Sequence, residues 1–397
     1  MFCWKKKTSI ALANAFEFYD VAIYSVISVY IGLNFFPSHY FGQHATWIIW
    51  ATFALRYLSR PFGGLIMGMY ADKYGRKAAL MTTSLLSGLA TLCMSCLPTF
   101  HDIGVLAPCL FFILQLMQAF SFGGENSTTV LYLMENTYAQ DRAKTSALVW
   151  GMLFFIIALA LLTVYLLELV LTPTQMNTFG WRIPFLLGVV NIFFRFYFRA
   201  KITESANFSA SEKVRVNLRS AIKIFLMSIP FSMLCYLSLF FTTQVIQTLS
   251  PDPFIQKILP IGINCSCFLL ALLMGYFVDR HSQCVRILNR CCAALVLGSV
   301  PIYAVQANGD QYSLLVSQLC LTILLACIVA TSPFVLFNAL QGDNKATTFG
   351  VGYNCSVVIF GASMPLMVNY LSQFGTIYIG LMLSGGGLCY FIAQALD

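Results

Sequence analysis

Charge is what this sequence has least of. Asp, Glu, Lys and Arg make up 10% of its 397 residues, against about 25% in an ordinary soluble domain. A surface in contact with water needs polar side chains, so a soluble fold is excluded, and with it a soluble enzyme or a nucleic-acid binder. Histidine is also scarce. The four (His39, His44, His101 and His281) all fall near the ends of apolar runs, which leaves no metal-spaced His cluster and no Ser–His pair for an intramembrane enzyme. The 14 cysteines do not form a secreted disulfide framework, because most lie within apolar stretches, as Cys93, Cys96, Cys265, Cys267, Cys291 and Cys292 do. Cys93-x-x-Cys96 has a metal or redox spacing, yet no second pair or His accompanies it. It reads as two small helix residues. No metal and no cofactor is expected.

What is present is apolar and aromatic: 59% hydrophobic residues, with 35 Phe, 19 Tyr and 5 Trp, suited to lipid-facing and interfacial positions. One span takes ~20 apolar residues, so twelve would use roughly 240 and leave about 13 per connection. Apolar runs lie near 10–36, 44–70, 78–97, 104–133, 145–170 and 182–199, then near 221–248, 254–278, 285–305, 311–338, 346–371 and 374–395. The pattern predicts an all-α polytopic membrane protein of twelve spans. Residues 1–199 form one six-helix bundle, 200–220 a central loop and 221–397 a second bundle. Glu17 and Asp20 interrupt the first run and no small-residue cleavage site follows it, so it is expected to be retained as a span and not removed as a signal peptide.

Alternate loops collect the basic residues. Segments 5–7, 73–77, 142–144, 195–223, 280–290 and 345 together hold 19 of the 23 Lys and Arg. The positive-inside rule then places both termini and the central loop in the cytoplasm. The halves also echo one another. Gly68-Met-Tyr-Ala-Asp72-Lys73-Tyr-Gly75-Arg76-Lys77 follows the second run, and Gly275-Tyr-Phe-Val-Asp279-Arg280 follows the eighth. Matching motifs half a chain apart indicate duplicated bundles related by an axis along the membrane normal.

The first of these loops resembles the cytoplasmic signature of the major facilitator superfamily, Gly-x-x-x-Asp-Arg/Lys-x-Gly-Arg-Arg/Lys. Further segments resemble its metabolite:proton symporters, which carry proline/betaine, shikimate, citrate or 2-oxoglutarate. These are Asn14-Ala-Phe-Glu17-Phe-Tyr19-Asp20-Val-Ala-Ile-Tyr24, Arg60-Pro61-Phe-Gly63-Gly64, Gln118-Ala-Phe-Ser-Phe-Gly123-Gly124-Glu125, Gly180-Trp181-Arg182-Ile-Pro184-Phe185, the segment with Arg199, Glu204 and Phe208, and Gly352-Tyr353-Asn354 through Pro365. The resemblance implies a twelve-helix major facilitator fold, alternating access, a small-molecule substrate with protons as the second partner, and a bacterial inner membrane. It implies gating by Gly68, Asp72, Gly75 and Arg76, joined by Arg142, Asp279 and Arg280, with Asp72 facing the start of helix eleven near Thr347 and Thr348. A monomer is favoured and no nucleic acid is expected.

Charges inside the spans point the same way without any family. A charge at the depth of Glu17 or Asp20 costs at least ~2.5–3.5 kcal/mol on insertion scales, so it must be paired, hydrated or protonated. A carboxyl able to choose between those states suits proton coupling. Glu17, Asp20 and Glu125 are the candidates, and Arg56 and Arg60 the expected partners. On helix four, Gln115, Gln118, Phe122 and Glu125 recur at helical spacing. The family pattern has Arg where this chain has Gln115, and Gly where it has Ala119. Arg56, at a position usually small and neutral in the family, is expected to replace the missing charge. The second half offers Gln244, Gln247, Gln318, Tyr353 and Asn354, each alone more often a bond between helices than a ligand. The expected substrate set is Asn14, Tyr19, Tyr24, Arg60, Gln115, Gln118, Gln244, Tyr353 and Asn354. So few buried cations favour a zwitterion or a monocarboxylate. Two rivals stay open, an uncoupled facilitator and a non-transporting sensor on the same scaffold.

Overall fold

A computed structural model describes residues 4–42, 45–204, 214–249, 252–281, 283–307 and 311–396. Every regular element among the described residues is helical. In lipid this follows from the backbone, whose N–H and C=O groups must be satisfied within the segment itself. The first half holds α1 (Trp4–Val26, continued by Ser28–Phe35 after a 58° bend), α2 (Ala45–Tyr57 and Ser59–Tyr74), α3 (Arg76–Ser95), α4 (Leu106–Glu135), α5 (Arg142–Val170) and α6 (Arg182–Ala200). The second half holds α7 (Leu218–Leu249), α8 (Pro253–His281), α9 (Cys284–Gln306), α10 (Gln311–Asn338), α11 and α12 (Ile377–Gln394). α11 runs from Lys345–Ser356 through a π-helical turn, Val357–Ala362, into Met364–Ser372.

Among the described residues ten helices are long and apolar enough to cross a membrane, eleven when the bent pair of α1 counts as one span. The twelfth expected span, 44–70, differs. It divides at Leu58 into pieces of 13 and 16 residues, each short for a crossing. Arg56 and Arg60 flank that division. Large apolar side chains such as Val170, Phe193 and Leu297 point outward, which is unremarkable for a surface wetted by acyl chains.

Within the first half α1 packs on α5 and α6, α2 on α4, and α3 on α4 and α6. Within the second, α7 packs on α10, α11 and α12, and α9 on α10 and α12. The halves meet where α2 lies on α11 and α5 on α8 and α10. Acyl chains are as apolar as Leu, so small residues that let backbones approach do much of this work. A Cβ on Gly64 would stand 2.5 Å from the Gly350 carbonyl oxygen, and one on Gly68 2.7 Å from the Thr347 Cα. α2 and α11 therefore touch backbone to backbone. Gly75, at φ 105°, makes the tight turn from α2 into α3, a conformation open to glycine because it lacks a Cβ.

Candidate functional site

Five ionisable side chains converge inside the first bundle, all nearly inaccessible: Glu17 and Asp20 on α1, Glu125 on α4, and Arg195 and Arg199 on α6. Arg199 forms an ion pair with Glu125 and also donates to Ser84 Oγ and, at 2.8 Å, to the Leu80 carbonyl. Arg195 Nη2 stands 3.8 Å from Asp20 Oδ2. That oxygen also accepts from Thr91 Oγ1 at 3.1 Å, and Thr91 in turn accepts from Gln118 Nε2 at 3.0 Å. Glu17 accepts from Ser121 Oγ at 3.4 Å, and its carboxyl lies within hydrogen-bonding reach of Glu125. Gly188 on α6 supplies the room, since a Cβ there would run into Asp20 Oδ1. The expected pairing is thus corrected. The guanidiniums paired with Asp20 and Glu125 come from α6, and Arg60, expected as a partner, bonds elsewhere. Arg195 and Arg199 sit in the stretch that reads as cytoplasmic loop by charge alone, yet both lie within α6 and are buried against the bundle.

Arg60 does something else. It points across the boundary between the halves, donating from Nη1 to the Tyr236 hydroxyl (3.1 Å) and from Nε to Asn354 Oδ1 (3.3 Å). It lies 4.3 Å from the Phe122 ring centroid and is buried to 3% exposure. All its hydrogen-bond partners among the described residues are neutral. Tyr353 stands beside it and beside Asn126, and carries the ring stack onward to Trp150 (5.5 Å) and Phe231 (6.5 Å). Asn354 is held by donating to the Gly123 and Gly350 carbonyls. Arg56 lies over the rings of Tyr24 and Tyr57, at 5.1 and 5.2 Å.

At the end where the basic loops gather, two carboxylates close the seam between halves. Asp72 accepts from the N–H groups of Ala346 and Thr347 (3.1 and 2.9 Å) and from Thr347 Oγ1 (2.7 Å), at the start of α11. Arg76 holds it from behind through Nη1 at 3.0 Å and reaches Glu135 through Nη2 at 3.2 Å. In the second copy Asp279 accepts from the N–H groups of Ala143 and Lys144, both at 2.8 Å, at the start of α5. Each half thus caps a helix N-terminus of the other, where unpaired N–H groups and the helix dipole favour an anion. Glu204 adds a third cap, accepting from the Arg76 and Lys77 N–H groups at the start of α3.

The sugar (and other) transporter family matches residues 6–224. The chain belongs to that family. It is a transporter of the major facilitator superfamily, and a multi-pass membrane protein. Among its relatives, a "putative proline/betaine transporter" of Staphylococcus aureus is 29% identical over 92% of this chain and 82% of its own length. The alpha-ketoglutarate permease of Escherichia coli is 26% identical over 91% and 86%, and the citrate-proton symporter of Klebsiella pneumoniae 24% over 92% and 84%. In fold the chain is similar to a double-tryptophan variant of XylE (TM-score 0.81, 15% identity, 98% of this chain and 94% of the other). It is also similar to the proton:xylose symporter XylE bound to 6-bromo-6-deoxy-D-glucose (0.78, 14%, 99% and 95%).

The transporter brings part of the expected substrate set together: Arg60 and Asn354 are bonded, with Tyr353 beside them. Asn14 bonds Asn126 at 3.4 Å, which places it next to Glu125. Tyr19 is buried near Thr163 of α5, its hydroxyl without a hydrogen-bond partner among the described residues. Gln118 serves Thr91, and Gln115 is buried with neither amide atom hydrogen-bonded. The Gln244 side chain lies outside the described residues. Gly68 and Gly75 shape the Asp72 latch, Arg142 lies 4.8 Å from the Phe334 ring centroid, and Arg280 is exposed. Residues the sequence does not single out for this site are Tyr236, Trp150 and Asn126, which look like ordinary span residues, and Arg195; Arg199 is singled out only as part of a family segment. Their signal is the i, i+4 spacing of Arg195 and Arg199 within one helix, which puts both on one face.

Proposed function

We propose that this transporter is a proton-coupled symporter that imports a small zwitterionic or carboxylate metabolite, of proline/betaine type, by alternating access. It would work in a bacterial inner membrane as a monomer, with both termini in the cytoplasm. The observation that carries this reading is Arg60. A guanidinium buried between the two halves and bonded to neutral partners alone is an expensive arrangement. It becomes favourable when a carboxylate enters, because charge-assisted bonds are roughly twice as strong as neutral ones. An incoming carboxylate would take the place of the Tyr236 hydroxyl and Asn354 Oδ1, linking α2 to α7 and α11 through the substrate. The faces of Tyr353, Trp150 and Phe231 suit the cationic end of a zwitterion. The names of the relatives support this substrate range, and the citrate-proton symporter supports the proton.

Transport also requires that binding energy differ between the two states. With Asp72 and Asp279 seated on helix N-termini, the cytoplasmic side is closed, and inward opening must break both latches. Glu17, Asp20 and Glu125 supply the proton site, while Arg56 sits beside Tyr24 on the substrate side.

The test is uptake into proteoliposomes of labelled glycine betaine, proline, 2-oxoglutarate and citrate under an acid-outside gradient. We expect one of the first two to accumulate and a protonophore to stop it. Arg60→Gln should weaken binding about 10- to 150-fold, the loss of one charge-assisted hydrogen bond at ~1.5–3 kcal/mol. Unchanged affinity in that variant would refute the role of Arg60. The second reading, an uncoupled facilitator, rests on the neutral Gln115 where relatives carry Arg. Uptake that is flat with pH and indifferent to the protonophore would select it.

A further inference from the structure

We infer that the transported proton is shared between Glu17 and Glu125, that the buried cluster holds one proton at a time, and that Arg195 and Arg199 set that number. The inference deepens the symport reading and rests on it. It starts from a count. Three carboxyls and two guanidiniums occupy one inaccessible cluster, so full ionisation would leave one uncompensated negative charge inside the bundle. An unbalanced charge in that setting costs several kcal/mol, and one bound proton removes it.

Geometry places the proton. Asp20 has an ion pair, with Arg195 Nη2 at 3.8 Å, and accepts from Thr91, while Arg195 also faces Glu17 and Glu125. Glu125 has Arg199. Among the described residues Glu17 has no ion pair, and its one hydrogen-bond donor is the Ser121 hydroxyl, which is also directed to the Thr83 carbonyl at 2.6 Å. The Glu17 and Glu125 carboxyls are within hydrogen-bonding reach of each other, and each keeps one oxygen, Oε2, that no donor among the described residues serves. Ionised carboxylates only accept, so a bond between these two requires a proton, and a shared proton satisfies both. The charged groups facing the pair are Asp20 on α1 and Arg195 and Arg199 on α6. α3 contributes the neutral Thr83, Ser84 and Thr91, and α4 the neutral Gln118 and Ser121.

The pair is also joined to the substrate side. Asn126, next to Glu125 on α4, accepts from Asn14 of α1 at 3.4 Å and lies beside Tyr353 of the other half. Losing the proton would set two like charges against each other at the crossing of α1 and α4, where Asn14 and Asn126 hold the helices together. The proton is thereby connected to the contact between halves and not merely stored.

The experiment is infrared spectroscopy of the full-length protein in lipid, combined with proton-driven uptake. The wild type at neutral pH should show one protonated-carboxyl C=O band per protein. Glu17→Gln should remove that band and abolish the pH dependence of uptake. Arg195→Gln, which removes a balancing cation, should raise the band to two per protein. A band that survives Glu17→Gln, or pH-dependent uptake that survives it, overturns the assignment. Absence of the band in the wild type overturns it without any variant. Failure of the symport reading is seen separately, as a wild type that accumulates no substrate under a proton gradient.

Discussion

Gly64→Ala tests the seam on which alternating access depends. The new Cβ would sit 2.5 Å from the Gly350 carbonyl oxygen and 2.7 Å from Asn354 Nδ2, where ordinary contact begins at 3.4 Å. The first obstacle is backbone and cannot rotate aside, so α2 and α11 must part by up to about 0.9 Å. Overpacking of this kind typically costs 1–3 kcal/mol. The cost falls on the state with α2 and α11 in contact, and is absent once they separate. It should therefore move the equilibrium toward opening by roughly 5- to 150-fold. The reporters are already in place. The amides of Ala346 and Thr347 donate to Asp72 at this same seam, and hydrogen exchange reads their opening. Their exchange should speed up by that factor in lipid nanodiscs. Gly262→Ala is the control, since nothing lies within 4 Å of its Cβ position. Equal exchange in wild type and Gly64→Ala would mean that the seam does not limit opening, and the argument from backbone contact would fall.

Two further outcomes follow from the same geometry. Asp279→Asn keeps one acceptor for the Ala143 and Lys144 amides but loses the charge, a cap effect of about 1–2 kcal/mol. Exchange at those two amides should rise about 5- to 30-fold, with a smaller change at Ala346 and Thr347; an equal rise at both would show that the latches open as one. Gly188→Ala drives a methyl group into Asp20 Oδ1 and within 3.1 Å of the Thr91 Cγ2. It should lower thermal stability in detergent by about 1–3 kcal/mol, and an unchanged melting temperature would mean that Asp20 has room to move that the packing does not suggest.

The latches were the most legible part of the site. Asp72 and Asp279 stand in recurring motifs with glycine and basic neighbours, and a carboxylate that ends one helix beside another helix's start has one obvious partner. The arginines of α6 were the least legible. Counting basic residues treats Arg195 and Arg199 as topology signals, because a one-dimensional count cannot distinguish an arginine that leaves the bilayer from one that turns into the bundle. Arg56 drew attention for the opposite reason. It interrupts an apolar run, yet its visible neighbours are the rings of Tyr24 and Tyr57.

By itself the sequence determined the solvent and the plan. Too little charge for water, apolar runs of spanning length and a motif repeated half a chain apart require two bundles of helices in lipid, since each is a property of composition or spacing along the chain. Which carboxyl meets which guanidinium was decided by tertiary structure alone. Ion pairs between α1, α4 and α6 join residues more than seventy positions apart, and their partners depend on which helix faces turn inward. The same packing made Arg60 a bridge between halves and left Glu17 and Glu125 to face each other.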